Sequence, residues 1–222
     1  MSANTIDRAY RQEYRALFRE ALRRAPAGHY DEMALPSYTH PNPAMSWLFW
    51  QRLRAAFDLA GDLAGASVLD FGCGGGATFR QLQRLGCRIT GVDPYAFDLA
   101  SEVSRRLRIP ASLHRSLEEL PSQRFDVIFA LDVLEHLDDL DSDLKRILGF
   151  AGPGTALIVS GPTENLFYRL GRRLAGFSGH YHVRNIYDIE SSLAALGLAR
   201  SGLRTLYHPV PLFRLSRWRP RA

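Results

Sequence analysis

Three glycines, Gly72, Gly74 and Gly76, follow a short apolar run and precede a segment with helical spacing. Glycine lets the backbone turn sharply and leaves no Cβ to obstruct a ligand. The N–H groups at the start of the following helix would point at the same place and favour a carboxylate or a phosphate. The turn therefore predicts a ligand-binding loop, and its Gly72-x-Gly74-x-x-Ala77 spacing also satisfies the dinucleotide-binding pattern.

Two carboxylates narrow the kind of ligand that the glycine turn would hold. Asp70, two residues before Gly72, would repel a pyrophosphate but would suit a ligand that carries an ammonium and a sulfonium. Asp93 ends the next apolar run about 20 residues after Gly72, where an acid that binds ribose hydroxyls is expected. Polar groups also follow the strongest apolar run, from Asp132 to His136. The pattern therefore favours a cationic nucleoside over a dinucleotide.

Apolar periodicity predicts the elements that position these residues. Short apolar runs alternate with segments of helical spacing, which is typical of βαβ crossovers that place helices on both faces of a parallel sheet. We therefore predict an α/β fold, a Rossmann-like, doubly wound and mostly parallel seven-stranded sheet with an N-terminal helical extension. The predicted strands are 68–71, 87–92, 111–114, 125–130 and 156–160, with a closing hairpin over 198–207 and 210–215; the predicted helices are 5–25, 44–63, 77–85, 96–107, 140–150 and 186–196.

Four segments occur in an order and spacing that resemble a known family. They are VLDFGCGGG at 68–76, GVDP at 91–94, FDVIFALDVLEHL at 125–137 and ALIVSGPTEN at 156–165. Together they resemble the class I S-adenosylmethionine-dependent methyltransferases, in particular the small-molecule branch that includes the ubiquinone-biosynthesis O-methyltransferases. The resemblance implies an enzyme that binds S-adenosyl-L-methionine and methylates a small-molecule acceptor, at a hydroxyl of a metabolite, a saccharide or a lipid-linked intermediate.

The resemblance also implies which residues bind the cofactor. Asp70 would hold the methionine ammonium, directly or through water, and Asp93 would accept hydrogen bonds from both ribose hydroxyls. The position near the adenine amine, normally an acid, is Ser116 here, so adenine recognition would rest on the backbone of Leu117 and on apolar packing. The other implied contacts are the backbone of Gly72, Cys73 and Gly74, the turn at Pro94, the carbonyl of Leu131, and Asp132.

Three histidines are candidate general bases for an acceptor hydroxyl. His136 follows the fourth predicted strand, and His180 and His182 lie in the segment after the fifth. Each histidine has a plausible alternative role as a hydrogen-bonded structural residue. A His-x-His pair with Glu135 would suggest a metal, but no third ligand has diagnostic spacing, so we expect no metal site.

Residues 1–64 predict two helices around a proline-rich segment, ahead of an S-adenosylmethionine-binding methyltransferase domain over residues 65–222. We expect the N-terminal segment to form a helical and aromatic lid over the cofactor, or else to pack on the sheet as two extra helices. Either Arg52 or Arg54 would reach the methionine carboxylate.

A small-molecule acceptor is the expected partner, and a nucleic acid is disfavoured. Methyltransferases that act on base amines carry an N/D-P-P-Y/F-type turn after the fourth strand, whereas residues 130–133 here read Ala-Leu-Asp-Val. The sequence leaves both a monomer and a homodimer open.

The charge and the hydropathy of the sequence indicate where in the cell the protein is expected. The formal net charge is +5, and Arg214, Arg217, Arg219 and Arg221 concentrate basic charge near the C-terminus. We expect a solvated, frayed tail there, the alternative being peripheral contact with an anionic partner such as lipid head groups. No apolar run approaches the roughly 20 residues of a membrane span, and the N-terminus lacks a secretory signal, so we expect a cytoplasmic protein.

Two other classes of protein stay open on the residues alone. An NAD(P)-binding oxidoreductase would share the glycine turn and Asp93, but Asp70 and the segment 131–136 argue against it. A non-catalytic scaffold would keep the methyltransferase fold, but it has no need of both an intact glycine turn and Asp93.

Overall fold

The computed structural model describes residues 6–24, 36–40, 42–163, 184–207 and 211–221. The helices are α1 (Arg8–Arg24), α2 (Pro36–Thr39), α3 (Pro43–Ala60), α4 (Phe79–Arg84), α5 (Phe97–Leu107), α6 (Leu140–Leu148) and α7 (Ile186–Ala195), with short 3-10 helices at Leu117–Glu119 and Leu134–His136. The strands are β1 (Ser67–Phe71), β2 (Arg88–Val92), β3 (Ala111–His114), β4 (Phe125–Leu131), β5 (Ala151–Pro162), β6 (Leu198–Leu206) and β7 (Phe213–Pro220).

The seven strands of the described chain form one sheet in the order β3-β2-β1-β4-β5-β7-β6. The strands β1 to β5 pair in parallel, whereas β7 runs antiparallel to both β5 and β6. The strand order reverses at β1, which lies between β2 and β4, and open α/β sheets bind ligands at such a switch point. The predicted Rossmann-like fold is confirmed, including the closing hairpin.

Alternate residues of the central strands belong to two hydrophobic layers. In β4, Val127 and Phe129 join a cluster that includes residues of α1, α3, α4 and α5, whereas Ile128 and Ala130 join a second cluster with α6 and α7. Because helices cover both faces, the strands read as nearly continuous apolar runs. The helices α1 and α3 share one of these layers with the sheet, and α1 contacts the glycine turn.

Local capping explains where α3 begins and ends. The side chain of Asn42 accepts a hydrogen bond from the N–H of Ala44 at 2.9 Å, and Pro43 occupies the first helical position. The helix ends at Gly61, whose φ of +84° favours glycine. No helix within the described ranges, α3 included, has both the length and the apolar character needed to cross a bilayer.

Three of the four arginines near the C-terminus, Arg214, Arg217 and Arg219, lie in β7, so the prediction of a frayed, solvated tail was wrong. The interior strand β7 pairs with β5 and β6 and buries Leu215 and Trp218. Arg214 of the same strand forms an ion pair with the buried Glu190 of α7 at 2.9 Å. Both faces of β7 are covered, because Leu215 belongs to one hydrophobic layer and Trp218 to the other.

Candidate active site

The ends of three neighbouring strands bring the predicted cofactor residues to one edge of the sheet. Strand β1 pairs with β2 and β4, so that Asp70 lies opposite Gly91 and Phe129. The carboxyl ends of parallel strands meet at one edge, and the loops after β1, β2 and β4 therefore surround a common crevice. Asp70 lies near the end of β1, Asp93 directly follows β2, and Asp132 directly follows β4.

Asp70 is a buried carboxylate, 2% exposed, beneath the glycine turn. The hydroxyl of Thr78, at the start of α4, donates a hydrogen bond to its Oδ2 at 2.5 Å. Burial, together with the nearby charge of Asp93, raises the pKa of Asp70 to about 7, against the lowering effect of the Thr78 hydrogen bond. The ionised form of Asp70 is therefore short of compensation inside the protein, which suits it to a cationic ligand group.

Asp93 holds the glycine turn and the start of α5 in one arrangement. Its Oδ2 accepts a hydrogen bond from the N–H of Gly74 at 2.9 Å. Its Oδ1 accepts hydrogen bonds from the N–H groups of Tyr95 and Ala96 at 2.9 and 2.7 Å. A carboxylate offers about four lone-pair sites, so Asp93 retains capacity for a further hydrogen bond.

The small size of the glycines in the turn is required by packing within the protein. A Cβ on Gly72 would lie 2.4 Å from a side-chain carbon of Val133, and one on Gly75 would lie 2.3 Å from the ring of Phe18. Gly76 adopts a φ of +73° and would place a Cβ 2.4 Å from the ring of Phe79. The sequence suggested that these glycines leave room for a ligand; the structure shows that they also admit α1 and the loop after β4.

Two tyrosines of α1 contact the glycine turn. The hydroxyl of Tyr10 donates to the carbonyls of Gly76 and Ala77 at 3.1 and 3.3 Å. Tyr14 lies one turn further along the same buried face, with its hydroxyl 3.1 Å from the position that a Cβ on Gly75 would take. The amino-terminal helix therefore forms one wall at the glycine turn.

Arg52 of α3 reaches the end of β4. Its guanidinium forms an ion pair with the carboxylate of Asp132 and lies 4.4 Å from the ring centre of Phe49 and 5.0 Å from that of Phe213. Arg54, the other arginine that the sequence put forward, is exposed. The structure thus brings the buried guanidinium of Arg52 to the crevice, whereas the side chain of Arg54 is exposed.

Asp132 itself is held by the strand next to β4. Its φ is +52°, and its N–H donates to the carbonyl of Ser160 of β5 at 3.1 Å. The hydroxyl of Ser160 donates in turn to the Oδ1 of Asp132 at 2.9 Å. A non-glycine residue in the left-handed region is uncommon, and here the ion pair and two hydrogen bonds hold it in place.

The residues predicted near adenine follow β2 and β3, which lie on the opposite side of β1 from β4. Ser116 is half-buried and precedes the short 3-10 helix, whose first residue, Leu117, is buried. The N–H of Asp93 donates to the carbonyl of His114 at 3.1 Å, which ties the turn after β2 to the end of β3. Pro94 in that turn is exposed. Pro94, Ser116 and Leu117 are therefore near the same edge as Asp93.

One of the three candidate bases lies within the described residues. His136 ends the 3-10 helix after β4, is half-buried, and its N–H donates to the carbonyl of Val133 at 3.1 Å. It stands on the loop that also carries Asp132. His180 and His182 lie outside the described residues.

Polar residues that the sequence reading passed over complete the crevice. Thr78 and Ser160 each donate to a predicted carboxylate, and Tyr10 fixes the glycine turn. A hydroxyl near the end of β5 or at the start of α4 is a detectable signal, because an isolated polar residue in an apolar run needs a hydrogen-bond partner. The contacts of α1 have no comparable signal in the sequence.

A family model described as a methyltransferase domain matches residues 11–205, the range that contains most of α1, the strands β1 to β5 and all but the last residue of β6. The chain belongs to this family of methyltransferase domains. The resemblance that its four sequence segments predict is thereby confirmed.

The methyltransferase domain is similar to curated ubiquinone biosynthesis O-methyltransferases. It is 34% identical over 107 residues to that of Bradyrhizobium sp. (strain ORS 278), a match that covers 46% of this chain and 42% of the relative. It is 33% identical over 97 residues to that of Methylobacterium sp. (strain 4-46), covering 41% of this chain and 39% of the relative. The matches therefore span less than half the length of each relative.

Solved structures share the fold of the methyltransferase domain over nearly its whole length. The N-methyltransferase NodS from Bradyrhizobium japonicum WM9, in complex with S-adenosyl-L-homocysteine, matches with a TM-score of 0.64 and 20% identity over 94% of this chain and 98% of its own. The magnesium protoporphyrin IX methyltransferase from Synechocystis PCC 6803, also with bound S-adenosylhomocysteine, matches with a TM-score of 0.63 and 17% identity over 96% and 99%. At these identities the likeness establishes the fold.

Proposed function

We propose that this methyltransferase domain binds S-adenosyl-L-methionine across the ends of β1, β2 and β4 and methylates a hydroxyl of a small molecule. The acceptor would be a metabolite, a saccharide or a lipid-linked intermediate. The observation that carries the proposal is the placing of two carboxylates, Asp70 and Asp93, on either side of the glycine turn at a topological switch point. Membership of the methyltransferase-domain family and similarity to O-methyltransferases support it.

The charges of the crevice fit the charges of this cofactor. The buried Asp70, whose pKa burial raises to about 7, gains compensation from the methionine ammonium. Asp93 keeps capacity to accept a further hydrogen bond from a ribose hydroxyl while it holds Gly74, Tyr95 and Ala96. Arg52 would share its guanidinium between Asp132 and the methionine carboxylate. A pyrophosphate would face two carboxylates here, which disfavours the dinucleotide alternative.

When bound, the cofactor supplies a methyl group already activated by its sulfonium, so the work of the protein is alignment and the exclusion of water. The loops after β1 and β4 hold the amino-acid end, and the turn after β2 holds the nucleoside end. We retain residues 1–64 as a lid, because α1 and α3 pack against the glycine turn and the end of β4 and would shield the crevice from water.

The proposed base is His136, since it lies on the loop that follows β4 and carries Asp132. Its imidazole would take the proton of the acceptor hydroxyl as the methyl group is transferred. His180 and His182 remain alternative bases on the sequence evidence. Replacing His136 by alanine should lower the turnover of the enzyme and leave its affinity for S-adenosylhomocysteine unchanged.

Calorimetric titration with S-adenosylhomocysteine tests the cofactor site. Asp93→Ala should weaken binding by about 1.5–3 kcal/mol, the scale of hydrogen bonds to a charged group. Asp98→Ala serves as the matched control, because Asp98 is an exposed acid nearby on α5. An affinity unchanged in Asp93→Ala would place the ribose elsewhere.

The acceptor is tested with S-adenosylmethionine carrying a labelled methyl group and fractions of cell extract. We expect the label in a small molecule, in an ether linkage to an oxygen atom. Label found on nitrogen or carbon, or on nucleic acid, would contradict the proposed acceptor chemistry while leaving the cofactor site standing. Activity that persists when His136, His180 and His182 are all replaced would exclude each of them as the base.

A further inference from the structure

We infer that Tyr14 of α1 is a cofactor-binding residue, whose hydroxyl donates a hydrogen bond to the methionine carboxylate of the cofactor. The inference rests on the cofactor position proposed above, and it makes α1 part of the binding site. None of the sequence motifs points to this residue, since it lies in an amphipathic helix more than 50 residues before the glycine turn.

The position of the Tyr14 hydroxyl is the first observation. Tyr14 is 1% exposed, and its hydroxyl oxygen lies over the glycine turn, 3.1 Å from where a Cβ on Gly75 would be. Burial raises the pKa of Tyr14 well above its usual value, and the neighbouring acidic groups of Tyr10, Tyr38, Cys73 and Asp70 raise it further. Tyr14 therefore keeps its proton at neutral pH and is available as a hydrogen-bond donor beside Asp70.

The second observation concerns hydrogen bonding on the buried face of α1. The Tyr10 hydroxyl, one turn earlier, donates to the carbonyls of Gly76 and Ala77. Within the ranges that the structure describes, the Tyr14 hydroxyl has no such partner, although its side chain is buried among the rings of Tyr10, Phe18 and Trp50. Buried hydroxyl groups are normally hydrogen-bonded, so a donor left over at a ligand crevice indicates a ligand acceptor.

The chemistry of the neighbouring groups indicates whether Tyr14 contacts the ammonium or the carboxylate in the methionine part of the cofactor. Asp70, when ionised, is an acceptor only and suits the ammonium, which has only donors. Tyr14 and Arg52 are both donors, and both lie beside Tyr38: the Tyr14 ring centre is 6.5 Å from that of Tyr38, and the Arg52 guanidinium is 5.9 Å from it. Two hydrogen-bond donors that lie beside the same ring suit the methionine carboxylate, which only accepts hydrogen bonds.

The test compares two ligands on two variants. S-Adenosylhomocysteine carries the amino acid, whereas 5′-methylthioadenosine has the same nucleoside and sulfur without it. Tyr14→Phe should weaken S-adenosylhomocysteine binding about 10-fold or more, as expected for the loss of a hydrogen bond to a charged group, and leave methylthioadenosine binding unchanged. Its melting temperature should not fall, because no described protein group loses a partner.

Tyr10→Phe is the matched control, with the same atom removed one turn away. It should lower the melting temperature and change the affinities for both ligands by the same factor, because Tyr10 holds the loop backbone. Equal effects of Tyr14→Phe on the two ligands, or no effect on either, would overturn the role of Tyr14.

Two further measurements separate the failure of this inference from that of the proposed function. If Asp93→Ala leaves binding of both ligands intact, the cofactor site itself is misplaced. If Asp93→Ala weakens both while Tyr14→Phe does nothing, the cofactor site stands and only Tyr14 is misassigned. With decarboxylated S-adenosylhomocysteine, Tyr14→Phe should have no effect; a retained effect would show that the hydroxyl meets another group.

Discussion

The guanidinium of Arg52 lies against the carboxylate of Asp132 and joins the middle of α3 to the end of β4. The rings of Phe49 and Phe213 flank the guanidinium, and the hydroxyl of Ser160 holds the carboxylate from the other side. The pair thus places a largely buried cation at the edge of the crevice, already neutralised by the protein. A cofactor carboxylate would share this cation without requiring it to be desolvated on binding.

Replacing Arg52 by alanine should destabilise the fold and weaken cofactor binding together. The buried carboxylate of Asp132 would lose its counter-charge, at a cost of about 3 kcal/mol in the free energy of unfolding. The measurements are urea denaturation and calorimetric titration with S-adenosylhomocysteine.

Arg54→Ala is the control for the Arg52 prediction, because Arg54 is an exposed arginine two residues away on the same helix. It should change the free energy of unfolding by no more than about 0.5 kcal/mol. Adding Asp132→Ala to Arg52→Ala should recover part of the lost stability, since no unpaired charge is then left. Equal unfolding energies for the wild type and Arg52→Ala would contradict the importance of the pair.

Stability and cofactor affinity should depend on pH in opposite directions through Asp70. Burial raises the pKa of this carboxyl from 3.8 to about 7 in the folded protein, so its contribution to stability is present below the unfolded value and is lost as pH rises towards about 7. Asp70→Asn, which cannot ionise, should therefore gain stability relative to the wild type over that interval and level off above it. Thermal unfolding across the pH range measures this difference.

On the role proposed for Asp70, binding of the methionine ammonium would require the ionised form of this carboxyl. The affinity of the wild type for S-adenosylhomocysteine should therefore rise with pH up to about 7, and the affinity of Asp70→Asn should be low and lack this rise. Asp98→Asn, at an exposed acid, should keep the wild-type profile. A rise that survives in Asp70→Asn would mean that another group titrates.

Gly75→Ala should displace α1 from the glycine turn. The added Cβ would lie 2.3 Å from the Phe18 ring, so the helix must move, which we expect to destabilise the fold by about 1–3 kcal/mol. Gly154→Ala is the matched control, because nothing lies within 4 Å of its Cβ position. Phe18→Leu should restore part of the stability in the double variant. Chemical denaturation tests all of these, and a neutral Gly75→Ala would show that α1 does not pack there.

Much of the sheet, and of the candidate site at the ends of β1, β2 and β4, could be predicted from the sequence, because both depend on short contiguous segments. Strand β4 is a nearly continuous apolar run, interrupted by Asp126, since helices cover both of its faces, and that pattern is visible without any tertiary information. Asp70 and Asp93 stand at fixed distances from the glycine turn along the chain. Parallel pairing then brings such strand ends to one edge whatever the details of packing.

The tertiary structure decided the contacts between elements far apart in the chain. The sequence offered Arg52 and Arg54 equally, and only the packing of α3 on the sheet directs Arg52 to Asp132 while Arg54 faces solvent. In the sequence, the tyrosines of α1 look like part of an ordinary apolar helix face. Only the tertiary structure shows that this face packs on the glycine turn. The arginines of β7 read as a solvated tail because their pairing with β5 and β6 depends on residues distant in sequence. Local patterns report which face of an element is buried, but not which other element buries it.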